Sequence, residues 1–190
     1  MSGDSSTLAD ALAALDDRLA ADALASPAAP GADAPLAVAD VQQYVLFSVA
    51  STTYAVPQAL VTELDRVPKL TMVPHVPAWV RGVCNLRGDV LSIIDVRGFM
   101  GLDFTSPYTG QMLVVRLLDE DFSVGLLVDR VERIAGIPRD DIRPSASPLE
   151  GALATYLAGV WTLDGHPVAV LNLDRWLRSP EIRQFDVREI

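Results

Sequence analysis

The chain has 190 residues, half of them apolar, a mean hydropathy of +0.27 and a formal charge of −10. No apolar run approaches the ~18 residues a spanning helix needs, and no basic excess exists for nucleic acid or anionic lipid. The single cysteine, Cys84, excludes a disulfide framework and any CxxC metal or redox site.

Residues 1–40 hold seven Asp and one Arg, and have no signal-peptide pattern of a basic start and long apolar core. A cytoplasmic location without direct membrane insertion is therefore expected. Leu8, Leu12, Leu15 and Leu19 fall at helical spacing, so residues 7–25 read as a fluctuating amphipathic helix on a disordered or partly helical tail, with a docking helix for a partner as the alternative. Pro27, Pro30 and Pro35 make the following stretch a semi-rigid linker.

Strands are expected at residues 44–49 and 54–56, joined by a turn at 50–53, with Pro57 ending the second. Residues 61–67 alternate imperfectly between apolar and charged. The stretch from Met72 to Gly82 holds Pro74 and Pro77, so it reads as a loop, with one helical turn at 78–81. It leads into RGVCNLRGDVLSIIDVR, residues 81–97, a hairpin that turns at Arg87-Gly88-Asp89. A short helix then follows, with Asp95 as its N-cap and Gly101 as its stop.

The second part opens with a strand at residues 111–118, turns at Asp119-Glu120-Asp121 and returns at 122–128. A Pro/Ser-rich connection and a short helix at 149–157 precede another hairpin, and LDRWLRS after Asn172 mirrors the first short helix. The tail after Pro180 is polar and of uncertain order.

These parts repeat. At a spacing of 77 residues Gly82, Gly88, Ile93 and Asp95 fall on Gly159, Gly165, Val170 and Asn172. At 68, YVLFSV falls on MLVVRL, and Tyr54 and Val56 on Phe122 and Val124. After a one-residue slip, LVTELDRV (60–67) lies over LVDRVERI (127–134), as a β-bulge in one copy would produce. The expectation is a mainly β domain at 41–180 made of two tandem β-lobes, 41–110 and 111–180, between an acidic tail at 1–40 and a short one at 181–190.

Catalytic chemistry has little to build on. His75 is wedged among prolines and His166 lies in a hairpin turn, while Cys84 reads as a small core residue. Asp95 and Asp129 follow apolar runs, where capping or turn formation is the simpler account. No phosphate-cradling GxxxxGK[ST] or GxGxxG motif is present. Neither a metal nor another cofactor is expected. Glu63 and Arg87 border one face of the first lobe in the strand reading.

The combination VTELDRV, GVCNLRGDVLSIIDVR, VGLLVDRVERI and GVWTLDGHPVAVLNLDRWL resembles the CheW family, the coupling proteins of bacterial chemosensory arrays, over roughly residues 42–177. The resemblance implies two five-stranded SH3-like β-barrels around a shared apolar core, no catalytic activity, and a place at receptor arrays under the inner membrane. It implies as partners the signalling tip of methyl-accepting chemoreceptors and the regulatory domain of a CheA-type histidine kinase. By motif, Val61, Glu63, Gly82 and Arg87 are similar to positions that shape a receptor-binding groove, with Glu63 and Arg87 as an ion pair and Leu64 adding to the floor. Gly88 and Asp89 lie on the lobe expected to meet the kinase.

Ser92 stands where the family commonly has proline, and the 50–53 turn lacks the familiar glycine or acidic pair, which leaves the pathway open. A scaffold of a pilus-motility or other chemosensory pathway that never engages a receptor is one alternative. A small-molecule-binding barrel with His75, Trp79 and Trp161 near a pocket is another. Deleting residues 1–36 is expected to leave the melting temperature of the rest unchanged within about 2 °C; a large drop in a thermal scan would show that the N-terminal helix docks on the β domain.

Overall fold

The structure, a computed structural model, describes residues 40–103, 110–144 and 152–185. The expected N-terminal helix and linker lie outside the described residues. Among the described residues ten strands run β1 Val41–Val49, β2 Thr52–Pro57, β3 Val61–Arg66, β4 Val80–Leu86, β5 Asp89–Asp95, β6 Gln111–Arg116, β7 Ser123–Val128, β8 Arg130–Pro138, β9 Leu157–Leu163 and β10 His166–Leu171. Short helices α1 Val96–Phe99, α2 Leu173–Leu177 and α3 Pro180–Arg183 follow β5 and β10. The predicted helical turn at 78–81 is a plain turn, because Val80 already begins β4. In the 149–157 stretch, Ala152–Tyr156 is a 3-10 helix. The segment after Pro180 is ordered as α3, which buries Ile182.

One sheet has the order β8-β1-β2-β10-β9 and the other β3-β6-β7-β5-β4. Within each, one parallel pair (β2 with β10, β5 with β7) joins antiparallel hairpins. The sequence halves 41–110 and 111–180 therefore do not coincide with the sheets: β1 and β2 complete the sheet of β8, β9 and β10, while β6 and β7 complete that of β3, β4 and β5. Local sequence specifies strand and turn. It does not specify which copy supplies the neighbouring strand.

The registers also correct the repeat. Ser92 pairs with Val124, and its counterpart Ala169 pairs with Tyr54, so Tyr54 corresponds to Val124 rather than to Phe122. The displacement arises in the hairpin loops, two residues (Ala50-Ser51) between β1 and β2 but four (118–121) beyond the Leu117–Phe122 pair. The expected one-residue slip is absent. Both copies carry a bulge at the same place, Thr62 in β3 and Glu132 in β8, so Val61 corresponds to Val131.

Strand alternation builds the interior. Along β1, Val45, Phe47 and Val49 enter a core shared by both sheets, whereas Tyr44 and Leu46 join Ala55, Ile137, Val168 and Val170 in a cluster on the other face. Ala135 from β8 and Leu163 from β9, opposite ends of the sheet order, pack against that second cluster, so the sheet curls around it as a barrel does. The counterpart in the other sheet contains Cys84, Leu91, Ile93, Met112 and Leu127. Covering on both faces explains why residues 44–47 of β1 and 112–115 of β6 are uninterrupted apolar runs.

Asp129 holds the crossing from β7 in one sheet to β8 in the other. Its carboxylate accepts the Ala50 N–H (2.7 Å) and pairs with Arg97 (2.9 Å), and its own N–H donates to Ser48 (3.1 Å). At the C-terminal end Arg178 bonds Asp174 (3.0 Å) and Asp119 (2.5 Å) and pairs with Glu120, which also pairs with Arg183. The Asp174 and then the Asp119 hydrogen bonds push the Arg178 pKa further up. The loop 118–121 and the C-terminal helices are tied together by this network.

Gly82 has φ +125° and a Cβ there would lie 2.2 Å from the Thr71 carbonyl oxygen, whereas Gly88 has φ +101° with open space around it. Gly82→Ala is expected to destabilise by about 2–4 kcal/mol through a backbone clash added to strain, and Gly88→Ala by about 1 kcal/mol through strain alone. Urea unfolding of the two variants checks the order; equal effects would show that the loop 67–79 yields at no cost.

Candidate partner-binding surface

Glu63 reaches the surface through the bulge at Thr62, whose hydroxyl donates to the Val114 carbonyl (3.2 Å). A bulge inserts one unpaired residue and re-aims the side chains beyond it. Val61 consequently packs against the shared core, Glu63 is half-buried, and Leu64 is 49% exposed. The imperfect alternation read in this strand has its cause in that bulge.

Arg87 is the first residue of a two-residue turn, since Leu86 pairs directly with Asp89. Both turn residues have positive φ, 54° at Arg87 and 101° at Gly88, the type I′ geometry that matches the twist of a hairpin. Asp89, expected within the turn, starts β5. The Gly88 N–H donates to Asn85 Oδ1 (3.1 Å), which stiffens the tip. From this tip Arg87 Nη2 reaches Glu63 Oε1 at 2.9 Å, so the expected ion pair is present. Arg87 remains 77% exposed and Glu63 21%, and so solvated a pair contributes only ~0–1 kcal/mol to stability. Its geometric effect is larger: β3 and β4 are the outermost strands of their sheet, and the contact ties β3 to the β4–β5 hairpin.

Gly82 has a different role from Glu63 and Arg87. It lets the loop after β3 lie on β4, where Thr71 and Val83 exchange two backbone hydrogen bonds of 2.8 Å. That loop presents Met72, 85% exposed, beside a cavity of about 370 Å³ lined by Leu70, Val73, Val76, Pro77 and Val80. Sequence reasoning did not single out Met72. The signal available was an apolar loop held open by Pro74 and Pro77.

The remaining candidates fall into structural places. Asp95 Oδ1 accepts the Gly98 N–H (3.3 Å) as the N-cap of α1, and Asn172 Oδ1 accepts that of Arg175 (2.9 Å) in α2. Cys84 is buried, and burial raises its thiol pKa, which keeps it protonated rather than nucleophilic. His75 sits in a turn with φ 61°, while His166, expected in a turn, heads β10 opposite Leu163. Trp161 packs on an interior cluster, and Trp79 lines a second cavity of about 370 Å³ with Phe99, Thr155, Tyr156 and Glu181. Neither of these two cavities is lined by His75 or Trp161. Ser92, at the position of a common family proline, is buried and donates to the Phe185 carbonyl (2.5 Å), tying β5 to the chain beyond α3.

Burial also raises the Asp95 pKa above the usual carboxylate range, against the Gly98 hydrogen bond and the charges of Arg81 and Arg97. A raised folded value means that the folded state holds the proton longer than the unfolded chain. The contribution of Asp95 is therefore most favourable below the ordinary carboxylate pKa and declines as pH rises through the folded value. Asp95→Asn is expected to remove that slope and to melt at or above the wild type at pH 7. Thermal scans between pH 4 and 8 check this; a variant more than about 4 °C less stable at pH 7 would show that the ionised carboxylate is needed.

The CheW-like domain family matches residues 43–181. Protein PilI of Pseudomonas aeruginosa is 35% identical over 115 residues, covering 60% of this chain and 64% of that protein. Chemotaxis protein CheW of Rhizobium meliloti is 30% identical over 140 residues (74% and 90%), and protein FrzA of Myxococcus xanthus 31% over 147 residues (75% and 89%). The crystal structure of the scaffolding protein TtCheW from Thermoanaerobacter tengcongensis superposes with a TM-score of 0.64 at 22% identity, over 74% of this chain and 95% of that one. Shared sequence across both repeats and a shared fold of two five-stranded sheets lead to one assignment: the chain belongs to the CheW-like family.

Proposed function

We propose that the chain is a non-catalytic adaptor that couples methyl-accepting chemoreceptors to a CheA-type histidine kinase, at cytoplasmic arrays under the inner membrane. The observation that carries this reading is the Glu63–Arg87 pair beside exposed Leu64. An apolar contact edged by two fixed opposite charges suits an amphipathic receptor helix: Leu64 supplies contact area, and the charges set the direction in which the helix lies. Val61 and Gly82 support this surface from below, the first through the core and the second through the loop that carries Met72. The hairpin tip at Gly88 and Asp89, exposed and stiffened by Asn85, is the kinase-facing element in this reading.

Nothing in that mechanism requires bond making. Among the described residues no helix is long and apolar enough to cross a membrane, and no group of three or more His, Cys, Asp or Glu is placed to hold a metal ion. An adaptor acts by placement, so its activity depends on two surfaces held in a fixed relation by a rigid core.

A second reading, a scaffold of a pilus-motility or other chemosensory pathway that docks proteins without engaging a receptor, stands beside the first, since the relatives include proteins PilI and FrzA as well as CheW. Co-sedimentation with kinase and receptor signalling fragments separates the two. Arg87→Ala is expected to weaken receptor-dependent assembly about tenfold while shifting the melting temperature by less than about 4 °C. Kinase binding with no receptor binding by the wild type would support the second reading, and ternary assembly indifferent to Arg87 would remove that residue from the coupling surface.

A further inference from the structure

The 77-residue spacing that sets Asp95 on Asn172 also sets Trp79 on Tyr156 and Phe99 on Trp176. The backbone repeats the equivalence: the Asp95 N–H donates to the Trp79 carbonyl (2.8 Å) and the Asn172 N–H to the Tyr156 carbonyl (2.7 Å). Each repeat therefore contributes an aromatic pair, and the fold brings the pairs together. Between ring centres, Phe99 lies 5.2 Å from Trp176 and 6.4 Å from Tyr156.

The copies then differ. Tyr156 and Trp176 are buried, whereas Trp79 is half-buried and meets Phe99 edge to face at 84° and 5.2 Å. A cavity of about 370 Å³ opens there, lined by Trp79, Phe99, Tyr156, Thr155 and Glu181. Its size falls within the ~300–1,000 Å³ of small-molecule clefts.

Glu181 makes this more than an apolar recess. The Tyr156 hydroxyl donates to Glu181 Oε2 (3.1 Å), which fixes the carboxylate beside the rings. Its own backbone N–H, and after it Tyr156, hold the Glu181 carboxyl below the usual carboxylate range, so it is ionised at neutral pH. The neighbouring arginines are engaged elsewhere, Arg178 with Asp174, Asp119 and Glu120, and Arg183 with Glu120 and the Phe122 ring. Among the described residues no cation lies within salt-bridge distance of Glu181.

An ionised carboxylate beside aromatic rings set at right angles attracts a cation through its charge and through the ring quadrupoles. The class of cation follows from its donors. A primary ammonium or a guanidinium brings several N–H groups that all need acceptors. The side chains lining this cavity offer few: Thr155 and a carboxylate already shared with Tyr156. A quaternary ammonium brings no N–H, and its methyl groups pack directly on the rings.

We propose that this cavity binds a small quaternary ammonium ion, held by Trp79, Phe99 and Tyr156 against the Glu181 carboxylate. Trp79 and Phe99 come from the first repeat, Tyr156 and Glu181 from the second, so the ligand ties the repeats together and stabilises the folded chain by mass action. The site shares no residue with the Glu63–Arg87 surface and does not depend on the adaptor reading.

Calorimetric titration of the full chain compares choline with its uncharged analogue, which has a tert-butyl group in place of the trimethylammonium. Choline is expected to bind with a Kd of about 1 mM or below, and the analogue at least about tenfold more weakly. Saturating choline is expected to raise the melting temperature by about 2 °C or more. Glu181→Gln keeps an acceptor for Tyr156; it is expected to weaken choline about tenfold and leave the analogue within about twofold. Its own melting temperature is expected to stay within about 4 °C of the wild type. Trp79→Leu, which removes a ring face, is expected to weaken choline by a similar factor. No choline binding up to about 50 mM, an analogue that binds as tightly, or a choline affinity indifferent to either substitution overturns the proposal. Tighter binding of butylammonium or methylguanidinium than of choline assigns the cavity to a lysine or arginine side chain of a partner protein, and overturns it as well.

Discussion

Each five-stranded sheet is completed by two strands from the other repeat, and the shared core depends on that exchange. Neither β1–β5 nor β6–β10 makes a whole sheet by itself. Phe47, Val49 and Tyr54 of one sheet meet Leu113, Val115 and Leu126 of the other across the central core, with fully buried Trp176 among them. The crossing points hold the two sheets in register, and Asp129 shows how: a carboxylate that accepts from the turn of one sheet and pairs with the helix following a strand of the other fixes where the chain changes sheets. A fold linked in this way is expected to move as one body, which suits a protein that acts by placing others.

The second dependence is on turn geometry. Type I′ turns at Arg87-Gly88 and Asp164-Gly165 tighten both hairpins to two residues, which brings the first turn residue over the far edge of its own sheet. A longer turn leaves that side chain without a fixed direction. The bulges at Thr62 and Glu132 meet it from the other side by re-aiming Glu63 and Arg133. Two irregularities of backbone, repeated, therefore produce each ion pair, Glu63–Arg87 and Arg133–Asp164, and neither pair is visible as a motif in a single stretch of chain.

The polar groups of the interior serve the fold. Asp95 and Asn172 occupy equivalent N-caps, one buried and the other exposed, so the same cap carries an electrostatic penalty in only one copy. Ser92 similarly spends its hydroxyl on the Phe185 carbonyl, and Cys84 behaves as a small apolar side chain. Large apolar side chains left exposed among the described residues include Leu64, Met72 and Ile134.

Much was legible in the order of residues. The nearly continuous apolar run at 44–49 indicated a strand covered on both faces, Arg87-Gly88 indicated a tight hairpin, and Asp95 before Val96 indicated a capped helix; each rests on interactions within a few residues of chain. The contact between Glu63 and Arg87 was legible too, through resemblance to a family rather than through spacing. The registers were not. Sequence matching set Tyr54 on Phe122 because it cannot see that the longer loop at 118–121 shifts every pairing after it by two residues. Nor did it show the exchange of strands, since β1 pairs as well by local pattern with one copy as with the other. The residues by themselves determined the strands, turns, caps and the repeat, all short-range properties. Only the tertiary structure decided which repeat completes which sheet, and thereby that Arg133 and Asp164 meet as the reversed image of Glu63 and Arg87, because that depends on closing long loops around a common core.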